Sequence, residues 1–524
     1  MPQNFSTPGV YINEVNAFPD SVIPVNTAVP AFIGYTPKAT YKGRSYTNIP
    51  VKITSFSDFL SIYGYPDPTE SGNPRKPYCP EFFLIPQKAT VNDADSLRIG
   101  DQSYLVLPDP NTIYYLYNSI RLFYDNGGEE AYIVSVGTYG TPSGKPADQE
   151  TGLINPNIKL EDLLAGLALL QNEQEPTLYV CPDAVLLSDS ANASFWKTAL
   201  LQCSQMQTAI ALIDVKGGRK PDAVSYSTSI QNFRNNIGIT GLNYGAAYYP
   251  FIGTAIMPDN SIDYTNLFGG DIKPLEKILN LSENNAGAAK ILADMLQPSG
   301  NLLTTSSYDQ ALRAASTEYT AMMKKVLAYA NTLPPSGAVA GIITATDQNT
   351  GPWKAPANIV IQEAVSLPIL LSDSQQGPLN IDPVSGKSIN VIRYFNNFGI
   401  VVWGARTLDG NSQDWRYISV RRTIIFIEQS CKLAAQAYIF KPNNSNTWES
   451  VKSMINSFLT SVWKQGGLMG SSPNDAFSVD CGLGNTMTSD DVLHGIMIVT
   501  IKVAVARPAE FIVITFQQQM QAAD

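Results

Sequence analysis

A short apolar run lies close to the end of the chain, at residues 511–516 (Phe-Ile-Val-Ile-Thr-Phe). The run is rich in β-branched and aromatic residues and contains neither a charge nor a proline. Such a composition predicts a β-strand, and a strand of this kind on an open sheet edge pairs with any other edge that it meets. A stable protein must therefore give this strand a partner, either in its own sheet or in another copy of the chain. We base the functional prediction on the second alternative.

The composition indicates a large protein that forms contacts with other subunits. At 524 residues the chain is too long for one ordinary core, so it is predicted to form about two to four domains. Charged residues make up 15% of the chain, against roughly 25% in ordinary soluble proteins. A large protein with so few charges is expected to hide much of its surface in an assembly. A large, weakly charged monomer is the alternative.

Several kinds of partner are disfavoured by the sequence. The net charge of −10 and the lack of a concentrated Lys/Arg cluster argue against nucleic-acid binding. The five cysteines are scattered, as expected for free thiols in a reducing compartment, and predict neither a disulfide framework nor a zinc site. The N-terminus does not resemble a signal peptide, and no apolar run reaches the roughly 20 residues of a membrane span. Assembly in the cytoplasm, without direct membrane insertion, is therefore predicted.

The residues that could support catalysis are few. His494 is the single histidine, so a Ser-His-Asp or Cys-His mechanism would depend on it alone. The run Ser-Gly-Lys-Ser at 385–388 ends like a phosphate-binding loop, but Ile381 stands where that motif needs its first glycine. The pair Gly217-Gly218 is more simply interpreted as a tight turn than as a nucleotide site. We therefore predict a protein that is not an enzyme and has no catalytic residues, cofactor or metal.

The order of patterns predicts a multidomain chain of the α/β and α+β classes. Helical and strand patterns alternate from Leu160 to Phe251, which predicts an α/β layer with some parallel strands. Three prolines at positions 19, 24 and 30 predict an extended N-terminal segment. Residues 421–438 carry an apolar stripe at helical spacing, with a polar face formed by Arg421, Glu428 and Lys432.

A series of motifs runs in order along nearly the whole chain. They include Thr7-Pro-Gly-Val-Tyr-Ile-Asn-Glu-Val15, Asn126-Gly-Gly128, Trp353-Lys-Ala-Pro-Ala-Asn358, Trp403-Gly-Ala-Arg-Thr407, Tyr417-Ile-Ser-Val-Arg-Arg422 and Arg507-Pro-Ala-Glu-Phe511. Together these motifs resemble the sheath proteins of contractile phage tails and of related contractile injection systems. The resemblance is weak at about 66–103 and 256–330, and residues 381–388 look longer than the usual loop of that family.

The resemblance implies a mixed-sheet inner sheath core with extended N- and C-terminal β arms and inserted outward-facing domains. It implies an N-terminal arm at 1–25, an outward-facing α/β region with variable insertions at 26–345, an inner core at 346–506 and a C-terminal arm at 507–524. The arms would complete β-sheets in neighbouring subunits. The candidates for this strand exchange are Val10, Tyr11, Ile12, Val15, Phe511, Ile512, Val513, Ile514 and Phe516.

The same resemblance implies a structural subunit that polymerises helically around an inner tube and contracts from a metastable extended state. Contraction would drive the tube through a target envelope. The implied partners are further copies in stacked rings, the inner tube protein, and baseplate and terminal cap proteins. Arg421, Glu428 and Lys432 are the candidate tube contact, with a solvated helix face as the alternative. The particle would be a phage tail or a phage-tail-like injection device, including one released outside the cell; a passive tail or tube polymer and an α/β enzyme are the alternative functions.

Overall fold

The computed structural model describes residues 22–65, 80–88, 95–148, 152–219, 225–280, 286–297 and 303–514. The chain divides into two compact units. The first unit consists of Thr423–Ala506 together with the N-terminal residues up to Val25. The second consists of Asn26–Arg422 together with the C-terminal residues from Arg507 onward. How these units relate to the outward-facing region and the inner core stays a prediction.

The described residues form helices and strands with the following bounds. The strands are β1 Pro30–Thr36, β2 Thr40–Tyr41, β3 Arg44–Ser45, β4 Val51–Ile53, β5 Phe82–Gln87, β6 Ser96–Ile99, β7 Gln102–Pro108, β8 Ala131–Thr138, β9 Leu178–Val180, β10 Ile210–Asp214, β11 Gly245–Tyr249, β12 Ile252–Thr254, β13 Thr332–Leu333, β14 Ile359–Val360, β15 Ala364–Ser366, β16 Asn390–Phe395, β17 Gly399–Trp403, β18 Phe477–Asp480 and β19 Thr500–Val503. The helices are α1 Phe56–Tyr63, α2 Leu116–Asp125, α3 Leu160–Leu169, α4 Asp189–Met206, α5 Ser225–Asn236, α6 Ile272–Leu279, α7 Ala286–Leu296, α8 Thr305–Ala315, α9 Thr317–Ala330, α10 Ser336–Asn349, α11 Asp373–Asn380, α12 Ile418–Ala435, α13 Ser445–Lys464, α14 Pro473–Ala476 and α15 Ser489–Leu493.

A nine-stranded sheet forms the core of the second unit, in the order β14-β17-β16-β11-β10-β9-β1-β8-β4. The pairs from β16 through to β8 are parallel, whereas β17, β14 and β4 join antiparallel at the two sides. Every residue of β1, β10 and β11 is buried, as expected for parallel strands that are covered on both faces. The predicted mixed α/β layer is therefore confirmed.

Helices α2 and α10 pack closely against one another. A Cβ atom at Gly337 would lie 2.4 Å from the carbonyl oxygen of Ser119, and one at Gly341 would lie 2.4 Å from that of Phe123. Real Cβ atoms do not approach backbone oxygens so closely, so these two positions of α10 require glycine. The close approach fixes α10 next to the sheet strands β9 and β10.

Between β1 and β9, hydrogen bonds within the chain occupy the carboxyl end of the sheet. The order of the parallel strands reverses between β1 and β9, the kind of place where open α/β sheets bind ligands. Here Asp183 accepts hydrogen bonds from the backbone N–H groups of Tyr35, Tyr115 and Leu116, at 3.0, 2.7 and 3.2 Å. Burial raises the pKa of Asp183 to about 6 against the opposing effect of these three donors. This carboxylate serves to fix the start of α2 beside β1.

The weakly matched regions contain their own substructures. A small antiparallel sheet, β5-β7-β6, occupies part of residues 82–108, and helices α6–α9 lie between 272 and 330. Arg219 joins these parts, because its guanidinium pairs with Asp95 at 2.7 and 3.0 Å and lies 3.1 Å from the ring centroid of Tyr329.

The first unit contains α13 and the two-stranded sheet β18-β19. The rings of Phe426 and Phe458 lie 5.8 Å apart, and β18 packs against α13. The helix predicted at 421–438 is found at Ile418–Ala435. Asn444 is the N-cap of α13 and accepts a hydrogen bond from the N–H of Thr447. Among the helices of the described ranges, none combines the length and hydropathy that a membrane crossing requires.

Candidate assembly site

The start of the predicted C-terminal arm, residues 507–510, is fixed by the side chain of Glu510. We call this point the arm root. Arg406 donates to both carboxylate oxygens, with an Nη2–Oε2 distance of 2.6 Å and Nε distances of 3.0 and 3.1 Å. Asn380 donates to Oε1 at 2.7 Å, and the hydroxyl of Tyr417 donates to Oε2 at 3.1 Å. Burial opposes ionisation of Glu510, but these hydrogen bonds and the charge of Arg406 outweigh it and hold the pKa of Glu510 below its ordinary value.

The local sequence explains how Arg406 reaches this position. The segment after β17 runs beside Asn390 of β16, whose side-chain amide accepts from the N–H of Arg406 and donates to its carbonyl, both at 2.8 Å. A Cβ atom at Gly404 would lie 2.9 Å from the Cα atom of Asn390, so glycine permits this close approach. The guanidinium also donates to the carbonyl of Gly410 at 3.1 Å. The motifs that contain Arg406, Tyr417 and Glu510 therefore meet at one point.

Directly after Glu510 the arm becomes exposed. Phe511, Ile512, Val513 and Ile514 are between 66% and 88% exposed. Among the described residues they pair with no strand. Four consecutive exposed apolar residues are an unusual surface for a subunit that remains alone in water.

The sheet β18-β19 has an open edge. Within the described part of the chain β19 pairs with β18 alone, in the register Phe477↔Val503 and Val479↔Ile501. Phe477 and Val479 are buried, whereas Ile501 and Val503 are only half-buried. A strand added beside β19 would cover these two half-buried side chains.

The structure separates the residues that were predicted to touch a tube. Arg421 is only 3% exposed, and its guanidinium lies 4.4 Å from the ring of Trp415 and 4.7 Å from that of Tyr244. Glu428 and Lys432 are exposed. Arg421 therefore does not share an open polar face with them, because the rings of Trp415 and Tyr244 cover its guanidinium. A tube contact through Glu428 and Lys432 stays a prediction.

The N-terminal candidates for strand exchange, Val10, Tyr11, Ile12 and Val15, lie outside the described residues, as does Phe516. The described part of the N-terminal segment contacts α12, because the N–H of Val25 donates a hydrogen bond to the hydroxyl of Ser430 at 3.2 Å.

Sequence reasoning missed two charged pairs. One is the Arg406–Glu510 pair described above. The other is Arg422 with Asp347, in which Nη1 lies 2.8 Å from Oδ1 and both side chains are almost fully buried. The only sequence signal for either pair is the presence of Arg and Glu inside apolar or aromatic motifs, where a charge needs a partner.

Comparisons with known proteins agree with this geometry. A family model described as the phage tail sheath C-terminal domain matches residues 411–519, a span that includes α12, α13, the β18-β19 sheet and the arm root. The tail sheath protein of Vibrio phage KVP40 is 28% identical over 136 residues, which is 26% of this chain and 20% of that protein. The alignment thus spans a fifth of the relative.

Solved structures match over nearly the whole chain. The sheath of an extracellular contractile injection system, PVC, in its contracted state gives a TM-score of 0.58 at 24% identity, with 99% of both chains covered. The contracted helical sheath of the anti-feeding prophage gives 0.56 at 24% identity, with 98% of this chain and all 100% of that chain covered. The fold is that of the contractile sheath proteins. The resemblance to the contractile tail sheath family is confirmed, and residues 411–519 match the model of the C-terminal domain of that family.

Proposed function

We propose that this protein is the structural subunit of a contractile sheath that polymerises helically around an inner tube. The observation that carries the proposal is the C-terminal arm, which is fixed at Glu510 and then presents four consecutive exposed apolar residues. Burying apolar surface gains about 25 cal/mol per Å², so a partner strand would stabilise an arm that is costly to leave in water.

The open edge of β19 is the acceptor that fits this arm. Main-chain hydrogen bonds would join the strand of one copy to β19 of another, and the arm's apolar side chains would extend the face formed by Ile501 and Val503. The donor and the acceptor are different surfaces of the chain. A contact between different surfaces is heterologous, and repeated heterologous contacts produce rings or open helices.

Contraction follows from the same connections. Backbone pairing between copies would hold the lattice together while the subunits rotate about the segment near Pro508. The energy would come from contacts that form only in the short state, so no nucleotide is required. The second arm would contribute Val10, Tyr11, Ile12 and Val15, and Glu428 and Lys432 would face the inner tube. Baseplate and terminal cap proteins would close the two ends of a tail or tail-like injection particle that is assembled in the cytoplasm.

Electron microscopy of the purified chain tests the proposal. Hollow helical cylinders, formed by the chain alone or together with a candidate tube protein, are the expected result. A protein that stays monomeric at all concentrations, with and without the tube protein, would contradict the sheath function. A map of the cylinder in which residues 511–516 lie on their own copy would instead contradict strand exchange.

A further inference from the structure

The loop between α11 and β16, residues 381–388, presents an apolar and uncharged outer surface. Val384 is 93% exposed and Ile381 is 45% exposed, and Pro383 between them is exposed as well. The two charged residues of the loop, Asp382 and Lys387, are buried beneath this surface.

The loop is held in one shape by those buried charges. Asp382 accepts hydrogen bonds from the N–H groups of Val384 and Ser385, both at 3.1 Å, and lies 3.4 Å from the guanidinium of Arg234 on α5. Arg234 donates to the carbonyl of Lys387 at 3.1 Å, and the ammonium of Lys387 donates to the carbonyl of Arg234 in return. The tip that carries Val384 is therefore fixed from both sides.

Burying the charged groups of Asp382, Lys387 and Arg234 is unfavourable by itself. We therefore attribute their burial to the loop geometry that they hold. Removing charges from water carries a desolvation penalty that their mutual contacts often fail to exceed. Burial and the nearby charge of Arg234 lower the pKa of Lys387. The ammonium of Lys387 points inward, so Lys387 does not serve as a phosphate ligand. The buried charges instead stabilise the shape of the loop. A loop backbone that is already fixed loses little entropy on binding, so an apolar side chain carried by that backbone can be buried at lower cost.

The loop stands beside the arm root. Asn380, which precedes it, donates its side-chain amide to Glu510 at 2.7 Å. Ser388, at the other end, donates its hydroxyl to the carbonyl of Asn380 at 2.6 Å. Both ends of the loop therefore meet at the residue that helps to hold Glu510.

We propose that the 381–388 loop is a preformed knob, which inserts Val384 with Ile381 and Pro383 into an apolar depression on a second copy of this chain. The inference rests on the proposed sheath function. If pairing begins at Phe511, no residue separates Glu510 from the paired segment, and each residue spans at most about 3.5 Å. The neighbouring copy must then pack against the surface around the root, and that surface includes the knob.

Assembly of a Val384→Asp variant tests this inference. A charge on the knob would have to be desolvated in the interface, so the subunit concentration needed for cylinder formation should rise at least tenfold. The thermal unfolding temperature of the unassembled variant should match that of the wild type, because Val384 is exposed in the single subunit. The conservative control Val384→Ile should assemble at close to the wild-type concentration.

The outcomes separate this inference from the sheath proposal. Wild-type cylinders with an unchanged threshold for Val384→Asp would overturn the knob and leave the sheath function standing. Absence of wild-type cylinders would overturn both. A photoreactive group attached to the cysteine of a Val384→Cys variant shows which molecule contacts the knob. The cylinders are assembled from a mixture of isotope-labelled and unlabelled chains. Crosslinks between labelled and unlabelled chains support the second copy, whereas crosslinks confined to the tube protein or to one chain refute it.

Discussion

Arg406 holds Glu510, which lies 104 residues further along the chain, through three hydrogen bonds to its carboxylate. The pair connects the segment after β17 to the residues that precede the exposed apolar run at 511–514. The side chain of Arg406 is 4% exposed and that of Glu510 is 21% exposed, so solvent screens their attraction only weakly. A force applied along the arm would therefore act on a buried ion pair before it acts on the rest of the fold.

Replacing Glu510 by glutamine should loosen this root. The Glu510→Gln side chain keeps the shape but leaves the charge of Arg406 buried without its counter-ion, which should lower the free energy of unfolding by about 2–4 kcal/mol. Urea denaturation of the unassembled protein measures this loss. The matched control is Glu449→Gln, which removes an exposed carboxylate paired with Lys452 on α13. That change should stay within about 0.5 kcal/mol, and equal losses for the two variants would refute a special role of the Arg406 pair.

Ending the chain after Glu510 should separate folding from assembly. The truncation keeps the Arg406 pair but removes the apolar run, so the subunit should fold with an unchanged unfolding temperature and form no cylinders by negative-stain microscopy. A chain that lacks only residues 517–524 keeps the whole run and should still assemble. Cylinders formed by the shorter chain would show that residues 511–516 are not the connecting strand.

A proline at Val503 should block the acceptor edge while sparing the sheet. The N–H of Ala504 donates to Ala476 on the β18 side, so the N–H of Val503, one residue earlier, points away from β18. Val503→Pro therefore removes a donor that only an added strand would use, and we expect normal monomer stability but no cylinders. Lys502→Pro is the control, because it removes a donor facing β18 and should destabilise the monomer by ~3 kcal/mol. Cylinders of normal yield from Val503→Pro would exclude this edge as the acceptor.

The carboxylate of Asp214 should make stability depend on pH in an identifiable way. It is buried at the end of β10, where it accepts from the N–H and the hydroxyl of Ser336 at 2.8 and 2.5 Å, and burial raises its pKa to about 7. Since the folded state holds this proton more tightly than the unfolded chain, the contribution to stability is present at about pH 4 and is lost as the pH rises towards about 7. Its slope is at most about 1.4 kcal/mol per pH unit.

The difference between wild type and Asp214→Asn isolates that contribution, because other titrating groups are common to both proteins. We expect the wild type to lose stability relative to Asp214→Asn as the pH is raised from 4 to 7, measured by urea denaturation at each pH. Parallel pH profiles would mean that Asp214 keeps an ordinary pKa in the folded protein.

Local patterns in the sequence predicted the elements whose signals are themselves local. A serine next to an apolar helical stripe is a common N-cap, and Ser55 caps α1 by accepting a hydrogen bond from the N–H of Asp58 at 3.1 Å. The alternation from Leu160 to Phe251 became α3, β9, α4, β10, α5 and β11 because buried parallel strands and amphipathic helices have different periods.

The contacts that define the site are not local, and no pattern in a single sequence reveals them. A helical wheel places Arg421 on a polar face, but it cannot show that Trp415 and Tyr244 cover that position. The partner of Glu510 lies too far away in sequence for any spacing rule to apply. The motif resemblance indicated that the segments around Arg406 and Glu510 are part of the family pattern. Only the fold shows that these two segments contact one another.

The proposed tube contact rests on Glu428 and Lys432, since Arg421 is buried. Exchanging the two charges (Glu428→Lys with Lys432→Glu) leaves the net charge and the i,i+4 spacing unchanged, so the fold should tolerate it. Charges at an interface set orientation and register, and reversing them places like charges together. The variant should therefore bind less tube protein in co-sedimentation, most clearly at low salt, where screening is weak. The same exchange at Glu449 and Lys452 on α13 is the matched control. If both variants retain the same amount of tube protein, the exposed face of α12 does not contact the tube.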